Sequence, residues 1–192
     1  MILRKKHSVL ISRTVIVLFV GIVCAGCSKP ANNQRSQNTA VPDNVRSSKD
    51  VVKVSASNIS IPAGGSGEAF VTLSISPGYH INANPPTYPY LIATEVRPVP
   101  YPDNPIAEIG KPVYPSPVTR KFAFAEAPLA VYEGDVTIEL SLRLPQPSDH
   151  VYARPIAGAH LSQPIDVRVQ ACDQEKCFPP DTLHTTLAVE VK

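Results

Sequence analysis

The sequence has no tryptophan, and its single methionine is the initiator, so thioether ligation of a metal is ruled out. Charge of neither sign prevails. Eighteen Lys and Arg stand against 16 Asp and Glu, too even a balance to leave the basic face that nucleic-acid binding requires. Glycine is scarce, at 9 residues against 21 prolines, and no stretch carries long helical periodicity. Together these favour short strands joined by rigid loops over a helical fold. Gly-x-Ser-x-Gly, His-Glu-x-x-His and a glycine-rich phosphate loop are all missing, which removes the usual signs of hydrolase or phosphoryl-transfer chemistry. His80, His150, His160 and His184 are scattered without ligand spacing. Each reads as a loop or strand-surface residue, and no metal or other cofactor is expected.

Long apolar runs are also lacking. Arg4, Lys5, Lys6 and Arg13 precede one short run, Val15 to Val23, which Cys24-Ala25-Gly26-Cys27 closes. That run is shorter than the roughly 20 residues a membrane-spanning helix needs, and residues 1–27 read as an export signal. A small-small-Cys ending resembles a bacterial lipoprotein signal, which implies that Cys27 becomes the lipidated first residue of the mature chain. Cys24 stands where such signals carry an aliphatic residue, so ordinary secretory cleavage is the alternative; either way the chain is exported. From Ser28 to about Asp50 the residues are mostly polar with no aromatic. Such a segment buries too little apolar surface to offset the entropy of ordering, and a flexible tether is expected. A serine rather than an aspartate at position 28 resembles lipoproteins sent to an outer membrane.

The remaining residues, 51–192, suit one domain with one core. Val52 and Val54 open a strand that Ile59 and Ile61 continue after a kink, and Ala69, Val71, Leu73 and Ile75 alternate with polar residues. Further strands are expected at Tyr79 to Asn84, at Ile92 to Arg97, and at Val136 to Leu144, the clearest amphipathic strand in the chain. Prolines recurring between Pro98 and Pro117 exclude a central strand there. Some eight strands with turn signals about every ten residues fit an all-β, immunoglobulin-like β-sandwich.

Only two cysteines lie outside the leader, in Cys172-Asp173-Gln174-Glu175-Lys176-Cys177-Phe178-Pro179-Pro180. Alternating residues on both sides make this a hairpin. Facing residues of an antiparallel pair have Cα atoms roughly 4.5 to 5.5 Å apart, inside the roughly 4.4 to 6.8 Å that a disulfide tolerates. Parity places Val167, Val169 and Ala171 on one face and Cys172 on the other, polar and accessible one. A Cys172–Cys177 pair would set Val167 opposite Thr182, so an extra residue between Phe178 and Leu183 is needed to bring Leu183 across from it. A bulge at Pro179-Pro180 supplies it. A loop of about six residues gains roughly 2 kcal/mol from cross-linking, against roughly 4.7 for a 100-residue loop, a poor return for a staple. Spacing alone nonetheless leaves a structural staple and a redox pair both open. Lys176 favours a thiolate at Cys177, whereas Asp173 disfavours one at Cys172. Cys177 also opens the irregular segment, so it is expected to face a partner while Cys172 resolves.

Three segments carry a family resemblance: Gly78-Tyr79-His80-Ile81-Asn82-Ala83-Asn84-Pro85-Pro86, Leu129 to Ile138, and Val169 to Cys172 with Cys177-Phe178-Pro179-Pro180. In order and spacing over residues 51–192 they resemble the amino-terminal periplasmic domain of the thiol:disulfide interchange protein DsbD. The resemblance implies an immunoglobulin-like sandwich whose Cys172 and Cys177 pass electrons from a membrane donor to thioredoxin-like periplasmic proteins. It implies further that Phe124, in the segment Phe122 to Pro128, belongs to a loop capping the cysteines. Since the sequence ends at Lys192, the donor is expected to be a separate protein. The competing expectation is a non-catalytic interaction module with a structural disulfide.

Overall fold

The computed structural model describes residues 47–100, 107–146 and 155–192. The leader with Cys27, most of the expected tether, and His150 lie outside the described residues. In chain order the strands among the described residues are β1 Val52–Ala56, β2 Ile59–Ile61, β3 Ser66–Ile75, β4 His80–Asn82, β5 Glu95–Pro98 and β6 Glu108–Ile109. They continue with β7 Val118–Arg120, β8 Leu129–Tyr132, β9 Asp135–Arg143, β10 His160–Val169, β11 Ala171–Cys172 and β12 Asp181–Val191.

The protein is an all-β, immunoglobulin-like sandwich. One sheet has the order β1-β3-β9-β6 and the facing sheet β2-β12-β10-β5. Strict alternation builds each inner face: in β9, Val136, Ile138, Leu140 and Leu142 are buried while Asp135, Thr137 and Ser141 are exposed. Their apolar side chains join Val71 and Leu73 of β3 and Ile165, Val167, Leu187 and Val189 of the facing sheet in a single core, which is the main favourable term in such a fold.

A third, smaller sheet, β11-β4-β8-β7, positions the cysteines. Its residues alternate between two apolar clusters. Ile81, Tyr132 and Ala171 turn to the main core, whereas Leu129 and Val131 turn the other way, to a second cluster with Phe122.

Several expectations change in detail. Ile59 and Ile61 do not extend β1: the kink at Ser57-Asn58 passes the chain to the opposite sheet, where β2 pairs in parallel with β12. The strand expected from Ile92 begins at Glu95, because Ile92 and Thr94 carbonyls are engaged by Asn82 and Asn84 side chains. Among its described residues, the proline-rich stretch supplies the two-residue β6 at a sheet edge and a bridge from Val113 to Glu139. Ser48–Asp50, assigned by composition to the tether, is a 3-10 turn with Ser48 fully buried.

Candidate functional site

The cysteine hairpin follows from two strand directions. β10 and β12 pair antiparallel with Val167 opposite Leu183 and end at Val169 opposite Asp181. Beyond that pair two residues, Gln170 and Ala171, face three, Phe178, Pro179 and Pro180, before Cys172 meets Cys177 in an isolated bridge. The extra residue is the expected bulge, and it places apolar residues opposite one another. The disulfide is closed, with an S–S distance of 2.01 Å and a Cα separation of 3.9 Å, closer than an ordinary facing pair. Asp173 makes the tip: its N–H donates to the Lys176 carbonyl at 2.9 Å, and its Oδ1 accepts the N–H groups of Glu175 and Lys176 at 2.8 Å each.

The two cysteines do not share an environment. Cys172 is 1% exposed, contrary to the accessible face that parity along β10 assigns it, while Cys177 is exposed. The reason is the break at Gln170, where the chain leaves the sheet of β10. Cys172 is then added to the third sheet as β11, directly across from His80 of β4. Cross-strand neighbours share a face, so Cys172 lies on the side of Phe122, not on the solvent face of β10.

His80, like Cys172, lies elsewhere than its sequence suggests. Instead of lying on the surface it is 1% exposed, with its ring stacked on Phe122 at 3.9 Å between centroids and 16° between planes. Phe124 extends the stack, 5.4 Å from Phe122, and is 40% exposed. The expected cap residue is therefore the outer end of a stack whose inner end is the ladder partner of Cys172. Burial pulls the His80 pKa down to about 4, opposed in part by the carboxylates of Glu133 and Asp173. Its imidazole is neutral at ordinary pH. Glu133 is itself held by Arg120, whose Nε and Nη2 donate to it at 3.0 and 2.9 Å.

On the core side, Tyr79 packs against Phe178 at 5.9 Å, so the residue after Cys177 is anchored. Ser48 clamps both arms of the hairpin. Its Oγ donates to the Pro179 carbonyl at 2.8 Å and accepts the Ala171 N–H at 2.9 Å. No motif marks this serine; only the long-range pairing exposes its role.

Among the described residues no three His, Cys, Asp or Glu side chains gather as metal ligands would. His184 instead meets Asp166 at 2.7 Å on the surface, and His160 is exposed.

Neither a protein-family model nor a curated protein matches the chain by sequence. Solved structures with a similar backbone include the N-terminal periplasmic domain of ScsB from Proteus mirabilis, at 16% identity and TM-score 0.47, over 77% of this chain and 48% of that one. The N-terminal domain of Neisseria meningitidis DsbD in the reduced form aligns at 13% identity and TM-score 0.40, over 73% and 86%. A cohesin–dockerin complex from Clostridium thermocellum aligns at 10% and 0.38, over 74% and 95%. The chain thus matches about half the length of the ScsB domain. At these identities the likeness transfers no chemistry to this chain.

Proposed function

We propose that the chain is an exported thiol:disulfide exchange protein, in which the Cys172–Cys177 pair passes electrons between a membrane donor and thioredoxin-like periplasmic partners. Cys27 is the lipid-carrying residue of this reading, which holds the domain at a membrane by residues 28–46, and Phe124 is the cap. The observation that carries it is the asymmetry of the disulfide: one cysteine buried, the other exposed, at the tip of a hairpin only five residues long in sequence separation. Exchange proceeds through a mixed disulfide on one sulfur, which the second sulfur then displaces. An exposed Cys177 suits the first role and a buried Cys172 the second. A purely structural disulfide needs no such difference, and closing so short a loop stabilises by only roughly 2 kcal/mol.

Trapping tests the reading. Cys172→Ser should accumulate a covalent, reductant-sensitive complex with a thioredoxin-like periplasmic protein, because nothing remains to resolve the mixed disulfide at Cys177. Cys177→Ser should trap none, since Cys172 is out of reach. Capture by Cys177→Ser alone would reverse the two roles. No capture by either variant leaves the interaction module with an inert disulfide as the better account.

A further inference from the structure

Among the described residues, two buried side-chain polar atoms lack a hydrogen-bond partner: Tyr79 Oη and His80 Nε2. They belong to consecutive residues, the last before β4 and the first within it, whose side chains turn to opposite sides. Tyr79 lies on the core side against Phe178, and His80 faces Cys172 across the ladder. A buried polar atom without a partner is costly, and a native fold that keeps one on the ladder partner of a disulfide cysteine invites a functional explanation. The polar groups nearby are already engaged. Asn82 Nδ2 donates to the Ile92 carbonyl, the Glu133 carboxylate is held by Arg120, and Asp173 Oδ1 accepts two backbone N–H groups. In the disulfide, Cys172 has no proton to offer.

We propose that His80 Nε2 becomes the hydrogen-bond acceptor of the Cys172 thiol once the disulfide opens, and so acts as the positioning residue for the resolving sulfur. This rests on the exchange function proposed above. Stacking on Phe122 fixes the ring plane, and burial keeps the imidazole neutral, as an acceptor must be. With the ring proton on Nδ1, Nε2 takes the S–H proton as Cys172 attacks. A bond forms between the Cys172 and Cys177 sulfurs, the bond from Cys177 to the partner's sulfur breaks, and its electron pair leaves on that sulfur. The cysteine pair is oxidised and the partner reduced. The imidazolium then returns its proton to the departing thiolate, which restores the neutral ring. Glu133 and Asp173, the carboxylates whose charge His80 feels, favour the transient imidazolium.

Because this hydrogen bond exists only with the disulfide open, it favours the dithiol by about fivefold, the net effect of one hydrogen bond. That factor corresponds to ~20 mV in reduction potential. The test uses the full chain with Cys24→Ser and Cys27→Ser, equilibrated in glutathione buffers. His80→Phe keeps the stack and deletes both ring nitrogens. It should shift the equilibrium about fivefold toward the disulfide and slow resolution of a glutathione adduct at Cys177, while His80→Gln, whose Oε1 can accept a hydrogen bond from the thiol but not its proton, should recover part of the shift in equilibrium. In the unsubstituted His80 protein the nitrogen-15 resonance of Nε2 should move upfield when dithiothreitol reduces the disulfide. An unmoved potential in a folded His80→Phe, or an unmoved Nε2 resonance, overturns the proposal. If the parent disulfide resists glutathione altogether, the exchange function fails instead, and the resonance after dithiothreitol still judges His80.

Discussion

Cys172 and Cys177 share one bond and little else, and the difference traces to single residues. Gln170 ends the pairing of β10, so the cysteine that follows is turned inward against His80 and not outward with Arg168. His80 carries a consequence for stability. Its folded pKa, about 4, lies below the ordinary 6.5 because burial disfavours the imidazolium. As the pH falls through that window the unfolded chain takes up a proton that the folded chain refuses, so the His80 contribution to stability declines from about pH 6.5 toward 4 and is level above it. Urea midpoints measured between about pH 7 and 4.5 should show this decline in the native sequence and a shallower one in His80→Phe. Much of this site was hidden from sequence. Parity requires Leu183 opposite Val167 and a residue gained at Pro179-Pro180, and both are found. The burial of His80 and Cys172 is not local: each depends on a strand far away in sequence, and alternation along one segment says nothing about which strand will cover it.

At the scale of elements, the hairpin is held by its own ladder and by a turn that grips its two arms. The turn Ser48–Asp50 reaches both: Ser48 bonds Ala171 and Pro179, and the Lys49 N–H donates to Asp181 Oδ2 at 2.9 Å. Ser48→Ala leaves a buried N–H at Ala171 without its acceptor, so a loss of about 1–3 kcal/mol is expected, read as a lower urea midpoint at unchanged slope. A change within error would show that the clamp is incidental. The strand pattern itself was largely legible, since β3, β9 and β12 carry period-two alternation of Val, Leu and Ile against polar residues. The division into sheets was not. Ile59 and Ile61 look like a continuation of β1 because both strands bury the same residue types, and only a three-dimensional crossing separates them.

At the scale of the whole molecule, two large sheets among the described residues form a frame, and the small third sheet carries Cys172 at its margin. One face of that sheet rests on the main core, and the other carries Cys172, His80 and the Phe122–Phe124 stack. This arrangement suits a disulfide that opens: the frame owes its stability to burial of apolar side chains, not to the short loop the bond closes. The frame should therefore persist in both redox states. The reduction potential of the Cys172–Cys177 pair, measured by equilibration of the full chain carrying Cys24→Ser and Cys27→Ser against dithiothreitol and glutathione buffers, tests that account most directly. A labile couple well above about −300 mV is the predicted result, and a value below about −300 mV, where structural disulfides lie, would contradict it.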